Sequence, residues 1–218
     1  MSTSNATTQE PRWRRLPEER PRQIIEAALE TFAERGLANA RLDDIAKRAG
    51  LSKGTIYLYF PNKEELFREV VRQTIVANIE AAEREIEAAD GPVADAFARF
   101  IRGYWAFARD PHYVAIFRLV NAELHNFPDL VEFYADEAVM RSRRLVQRLI
   151  ERGIASGEFR PVDVRVAARM VTSSVVMHAL WTQASMVCSR VLECGHDQLV
   201  QDIVEYHLHA LRAEPRAV

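Results

Sequence analysis

An all-α fold, a small N-terminal helical domain followed by a larger helical body, is predicted by three features of this 218-residue sequence. Glycine is scarce, with 8 in the whole chain. Apolar residues recur at three- and four-residue spacing over long stretches, the period of one helix face. Breaks at Asp90-Gly91-Pro92, Asp110-Pro111 and Phe127-Pro128-Asp129 cut those stretches into helix-sized pieces. About nine helices follow from this pattern, and a sheet is not expected. An apolar fraction of 48% is enough to build a sizeable core and excludes disorder as the overall state.

The first helix starts between Pro17 and Pro21. Ile24, Ile25, Ala28, Leu29, Phe32 and Ala33 form its apolar face, and Gly36 is a natural C-terminal stop. Two short helical patterns lie between Leu42 and Phe60, with Gly50 between them. Asn62 is placed to cap a long helix, with Glu65 three positions on to complete a capping box. Leu66, Val70, Ile75, Ile79 and Ile86 carry that helix's stripe to the Asp90-Gly91-Pro92 break. Asp110-Pro111 and Phe127-Pro128 each open a further helix, because proline suits a first turn and disfavours helix in the residue before it. The second of these passes Arg141, Arg143 and Arg144 to about Ser156, where Gly157 stops it, or Gly153 a turn earlier. Asp163 caps an unusually apolar helix from Val164 to about Cys188, which has no fully polar face and needs burial on most sides. The last helix spans about Asp197 to Leu211.

The segment between the first and the long helix carries the functional signal. Leu42, Ile45, Ala46 and Ala49 give one compact apolar face, Gly50 permits a left-handed turn, Leu51 fills the corner, and Ser52 caps the second short helix. Ile56 and Phe60 then face inward and leave Lys53, Gly54, Thr55, Tyr57 and Tyr59 mostly outward. This face suits a DNA major groove. Lys53 can reach guanine O6 and N7 or a phosphate, Thr55 a base edge or a thymine methyl, and Gly54 permits close approach, while Tyr57 and Tyr59 suit phosphate oxygens. Free N–H groups at the helix starts near Ser52 and Lys63 favour anions. On spacing alone, a tight helical corner with no nucleic-acid role is the alternative.

The run LDDIAKRAGLSKGTIYLYFPNKEELF, Leu42 to Phe67, is preceded by Ile24-Ile25-Glu26-Ala27-Ala28 and by Phe32-Ala33-Glu34-Arg35-Gly36. Over about Arg20 to Glu80 it resembles the DNA-binding domain of the TetR/AcrR family of bacterial regulators. The resemblance implies a three-helix head on a larger helical body that binds an inducer and dimerises through its last two helices. Ser52, Lys53, Gly54, Thr55, Tyr57, Tyr59 and Lys63 occupy the positions of the family's DNA contacts. Arg41 departs from the pattern, standing where the family often has Thr; it cannot cap the second helix but offers a cation to a phosphate. The implied layout is a basic, disordered tail over residues 1–17, a helix-turn-helix domain over 18–64 with a linking helix to about 89, and a ligand-binding and dimerisation domain over 90–218. The implied function is a ligand-responsive transcriptional regulator, foremost a repressor that binds a palindromic operator as a homodimer and is released by a small apolar or aromatic effector. The alternative is a DNA-binding regulator or activator without a small-molecule inducer.

A formal net charge of -2 shows that the chain is not a bulk polycation, so nucleic-acid binding must come from a local arrangement. Arg12, Trp13, Arg14 and Arg15 offer either a basic arm or a frayed terminus. Cys188 and Cys194 lack the density of a disulfide scaffold and point to a reducing compartment, with a redox pair and two small packed side chains both open. No apolar run approaches the roughly 20 residues of a membrane span, and the first residues do not form a signal peptide, so a cytoplasmic chain with no membrane partner is expected. No phosphate-binding glycine loop, His-Glu-x-x-His or glycine-flanked nucleophile is present, and an enzyme is not expected. Neither a cofactor nor a metal is expected, since His207 and His209 fall on different helix faces.

The segment from Pro92 to Trp181 is rich in aromatic residues, and effector contacts are expected among Trp105, Phe117, Asn121, His125, Phe133, Met177, His178 and Trp181. Aromatics at helical spacing equally make ordinary core, so the polar exceptions, Glu123 included, sharpen the reading. His178, in the most apolar helix, needs a partner in the core, at a dimer seam or on a ligand. Val175, Val176, Ala179, Leu199, Ile203 and Tyr206 are the expected dimer face, because two apolar stripes on the last helices exceed what a monomer of this length hides.

Overall fold

The structure, a computed structural model, describes residues 19–182 and 195–213. Among these residues there are nine continuous helical runs and, instead of a sheet, one isolated bridge between Phe159 and Arg212. The tail over 1–17, the extension of the apolar helix to Cys188, and both cysteines lie outside the described residues.

The head consists of α1 (Glu19–Asn39), α2 (Leu42–Arg48) and α3 (Lys53–Tyr59). Their apolar faces meet in a core that includes Ile24, Ala28, Ile45 and Ile56, all fully buried. Gly36 breaks α1 at φ 75° and ψ 166°, as its position predicts. Gly50 adopts φ 68°, and the following Leu51 N–H donates back to Ala46 O at 2.8 Å, which closes the turn between α2 and α3. Arg35 pairs with Asp44 at 2.6 Å and Arg48 with Glu34, fastening α2 to α1.

The long helix is α4 (Lys63–Val71), a π turn over Arg72–Val76, and α5 (Ala77–Ala88). Only half of the predicted capping box forms. The Asn62 side chain accepts from Glu65 N at 2.8 Å, but the Glu65 carboxylate accepts from Arg68 within the helix. The body adds α6 (Val93–Ala108), α7 (Pro111–Glu123), α8 (Pro128–Tyr134) leading through a π turn into α9 (Arg141–Ser156), α10 (Val164–Trp181) and α11 (His196–Leu211). Asp163 caps α10 as predicted, and α7, which opens at the predicted Asp110-Pro111 break, is capped by the Asp110 side chain. The cap of α6 comes from elsewhere: the Glu158 carboxylate accepts from Val93 N and Ala94 N, both at 2.9 Å. The bond from Ala94 leads the backbone contacts that hold this carboxyl below its ordinary pKa. Gly157 rather than Gly153 ends α9, because Gly157 takes the left-handed conformation at φ 79°; Gly153 stays inside the helix, where the Phe159 ring packs so close that a Cβ would stand 2.1 Å away.

The head is fastened to the body at the end of α7. Glu123 Oε2 accepts from Ala38 N at 2.9 Å, and the carboxylate lies so close over Gly36 that a Cβ there would fall 1.9 Å from Oε1. Lys63 Nζ donates to Ala38 O at 2.6 Å and sits 5.9 Å from the Phe127 ring. No described helix is long and apolar enough to cross a membrane.

Candidate nucleic-acid interface and effector cavity

The short helix α3 is held by Ser52, whose Oγ accepts from Thr55 N at 3.1 Å and lies 2.8 Å from Thr55 Oγ1. Ile56 is fully buried in the core and anchors the helix there. Lys53, Gly54, Tyr57 and Tyr59 are exposed, and Thr55 is half-buried behind its bond to Ser52. Lys53 Nζ donates to Asp43 Oδ2 at 2.7 Å, a hydrogen bond that raises the lysine's pKa and keeps it charged. Its ammonium also sits 5.8 Å from the Tyr57 ring. Arg41 precedes α2 in extended backbone and makes no cap, as expected from the loss of Thr. Leu58, which the sequence reading passed over, is 85% exposed one turn beyond Gly54. Its spacing of four from Gly54 was the signal that could have found it.

Two adjoining cavities open in the body. One of about 240 Å³ is walled by aromatic residues of α6, α7 and the α8–α9 run, and by Thr172, Ser173, Val176 and Met177 of α10. The other, about 190 Å³, lies between α5 and α6 and shares Tyr104, Phe107 and Ser142 with the first. Of the expected effector residues, Phe117 and Met177 line the larger cavity. The other six do not line either one. Trp105 is buried in the core with Arg109 over its ring, and Asn121 bonds Phe117 O on the surface. His125 is exposed at the end of α7. Phe133 lies under the guanidinium of Arg72 at 5.2 Å, as part of the joint between head and body. His178 finds its partner in its own helix, Nδ1 lying 2.8 Å from Ser174 O, with the half-exposed Trp181 against its ring.

The cavity walls instead bring together Tyr104, Phe107, Tyr113 and Tyr134, with Arg143 on α9. Burial pushes the hydroxyls of all three tyrosines above their ordinary pKa, so they stay neutral, and Tyr104 and Tyr113 bond each other. The signal for Arg143 was its place three residues before Val146 and seven before Ile150, a stripe position of α9 occupied by a charge.

The expected dimer residues divide in two. Val175, Ala179 and Ile203 are buried in the chain's own core, and Val176 and Leu199 are half-buried. Tyr206 alone stands out, 72% exposed. On α10 the exposed apolar residues are Val166, Met170, Met177 and Trp181, which share one helix face by their spacing.

Two family models match the chain, one over the head and one over the body. Residues 24–70 match the family model for bacterial regulatory proteins of the tetR family, and residues 95–213 match that for the C-terminal domain of AefR-like transcriptional repressors. The fatty acid metabolism regulator protein of Bacillus subtilis is 29% identical over 163 residues, 73% of this chain and 82% of that protein. The transcriptional repressor KstR2 of Mycolicibacterium smegmatis is 25% identical over 167 residues, 76% of this chain and 80% of the relative. The crystal structure of FadR from Bacillus subtilis in complex with stearoyl-CoA superposes with a TM-score of 0.67 at 25% identity, covering 86% of this chain and 97% of that one. With both its head and more than half its length matched, the chain belongs to the TetR family of DNA-binding transcriptional regulators.

Proposed function

We propose that this regulator is a repressor that grips a palindromic operator as a homodimer and lets go when a ligand with an apolar body enters the cavity of its helical domain. The observation that carries the reading is the exposed face of α3. There Gly54 has nothing nearer than Ser52 Oγ at 3.9 Å around the place of a Cβ. Glycine inside a helix costs roughly 0.5–1 kcal/mol relative to alanine, and nothing in the chain itself uses the space. A groove wall approaching from outside does. Lys53 would exchange Asp43 for guanine or phosphate, Thr55 and Tyr57 would meet base edges and backbone, and Tyr59, Ser52 and Arg41 would meet phosphates. Lys63 spends one of its three N–H donors on Ala38 O and keeps two for a phosphate.

Release follows from the path of α7. Tyr113 and Phe117 line the cavity on this helix, and Glu123 at its end holds the last turn of α1, beyond the break at Gly36. A ligand that shifts α7 therefore changes how the head is carried, and lower DNA affinity follows by linkage. An apolar-bodied effector is supported by the cavity lining and by two similar proteins, a fatty acid metabolism regulator and a FadR bound to stearoyl-CoA. Pairing is supported by the exposed apolar face of Val166, Met170, Met177 and Trp181 on α10 and by the exposed Tyr206 on α11, apolar surface that favours a two-fold partner.

The test is a gel-shift series on a duplex selected from genomic fragments. Binding should weaken steeply as salt rises, because Lys and Arg displace condensed counterions, and compounds that raise the melting temperature should release the duplex. Salt-independent binding, or stabilising compounds that leave binding untouched, would count against the reading.

A further inference from the structure

We propose that the larger cavity takes an organic anion, a ligand whose carboxylate docks on Arg143 while its apolar body fills the space between Phe107, Phe117, Val176 and Met177. This rests on reading the body as an effector-binding domain and narrows it to one charge class.

The arginines of α9 have separate fates. Arg141 pairs with Glu83 at 2.8 Å and with Glu80 at 3.4 Å, and Arg148 with Glu83 at 3.1 Å. Arg152 donates to the carbonyl of Ile86 at 2.8 Å. Arg143 has no carboxylate within ion-pairing distance among the described residues, and its Nε is shut off from solvent with no hydrogen-bond partner. It nonetheless stands in the cavity wall, which contains no Asp or Glu. Its positive charge acts on the hydroxyl of Tyr104, another residue of the wall.

A buried guanidinium N–H without an acceptor is costly, and such groups are rarely left so in native proteins. Three kinds of ligand can be weighed against this. A cation would meet uncompensated positive charge in a site of low dielectric. A neutral apolar molecule would suit the aromatic wall but leave the Nε unsatisfied. A carboxylate accepts from the guanidinium through short charge-assisted bonds, in a wall whose tyrosine hydroxyls stay neutral and bring no opposing negative charge. The smaller cavity, reached past Tyr104 and Phe107 and lined by Ile79, Ile86 and Phe100, gives a longer body room to extend.

The experiment compares octanoate, 1-octanol and octylamine by calorimetry and thermal shift on the full chain and on Arg143→Gln. Octanoate should bind wild type about ten- to a hundredfold tighter than 1-octanol, and octylamine should bind weakest. Arg143→Gln should keep its helicity and its affinity for 1-octanol and lose the preference for octanoate. The proposal is overturned if 1-octanol or octylamine binds wild type as tightly as octanoate, if the variant keeps the preference, or if none of the three binds. Should the variant not fold, the ranking on wild type decides alone. Operator release is scored separately. Octanoate binding through Arg143 without release would sustain the anion site and remove its effector role, whereas release by a neutral compound with no octanoate binding would do the reverse.

Discussion

Gly54, Lys53 and Leu58 show how residue-level reading succeeded and where it stopped. That Lys53, Gly54 and Tyr57 point outward follows from helical period and the inward demand of Ile56, and both are visible in the sequence. The pairing of Lys53 with Asp43, and of Lys63 with Ala38 O, are contacts between elements that no local pattern encodes. We predict that Gly54→Ala raises the melting temperature, by the equivalent of about 0.5–1 kcal/mol, while weakening operator binding, because the new methyl group meets DNA rather than protein. If operator affinity is unchanged, the groove wall does not approach this residue. A second prediction separates reading from gripping. Thr55→Ala should cost about 1 to 3 kcal/mol and relax preference at one or two base positions, while Lys63→Ala should weaken all sequences alike and flatten the salt slope by about one unit. Selection of bound sequences with each variant checks this, and a changed consensus in Lys63→Ala alone would reverse the roles.

At the scale of elements, helix boundaries were largely legible because capping residues and breaks announce them: Ser52, Asn62 and Asp163 cap as read, and Pro111 opens α7 as read. The cavity was much less legible. Aromatic content predicts an aromatic body, but which rings line a space and which fill the core depends on how α6, α7 and α9 turn toward each other, so Trp105 and Phe133 were misplaced and Arg143 was missed. Glu123, set apart as a polar residue among aromatics, proves to hold the head. Glu123→Ala should leave operator binding nearly intact but blunt its loss on adding effector, measured as the ratio of Kd with and without ligand; an unchanged ratio would place the coupling elsewhere. The seam between α10 and α11 adds a pH dependence. His207 is buried with Nε2 2.8 Å from Ser174 Oγ, and burial lowers its pKa from the ordinary 6.5. The folded state thus prefers the neutral ring. The resulting stability is complete above the unfolded value and is lost as pH falls through the lower folded one. Melting temperatures taken downward from about pH 7.5 to 5.5 should fall, and His207→Asn should remove much of that slope. An equal slope in the variant would assign the effect to other groups.

For the whole molecule, the order of a helix-turn-helix head followed by a larger helical body was legible from one motif and the length that follows it. The surface proposed for pairing lies on the two helices that the sequence singled out, but mostly on other residues. Apolar stripes on the last two helices do not reveal which residues the chain keeps for its own core, and Val175, Ala179 and Ile203 are kept. Met170→Glu combined with Tyr206→Glu should therefore yield monomers of near wild-type helicity by ultracentrifugation, whereas a charge at Ile203 would unfold the chain. The central claim, that two copies read DNA through α3, is tested most directly by selecting duplexes from a random pool with the purified chain and sequencing what is retained. The account predicts enrichment of a palindrome with two equivalent half-sites, lost together in the Met170→Glu, Tyr206→Glu monomer. Enrichment of a single unpaired site, equally retained by the monomer, or no enrichment at all, would contradict it.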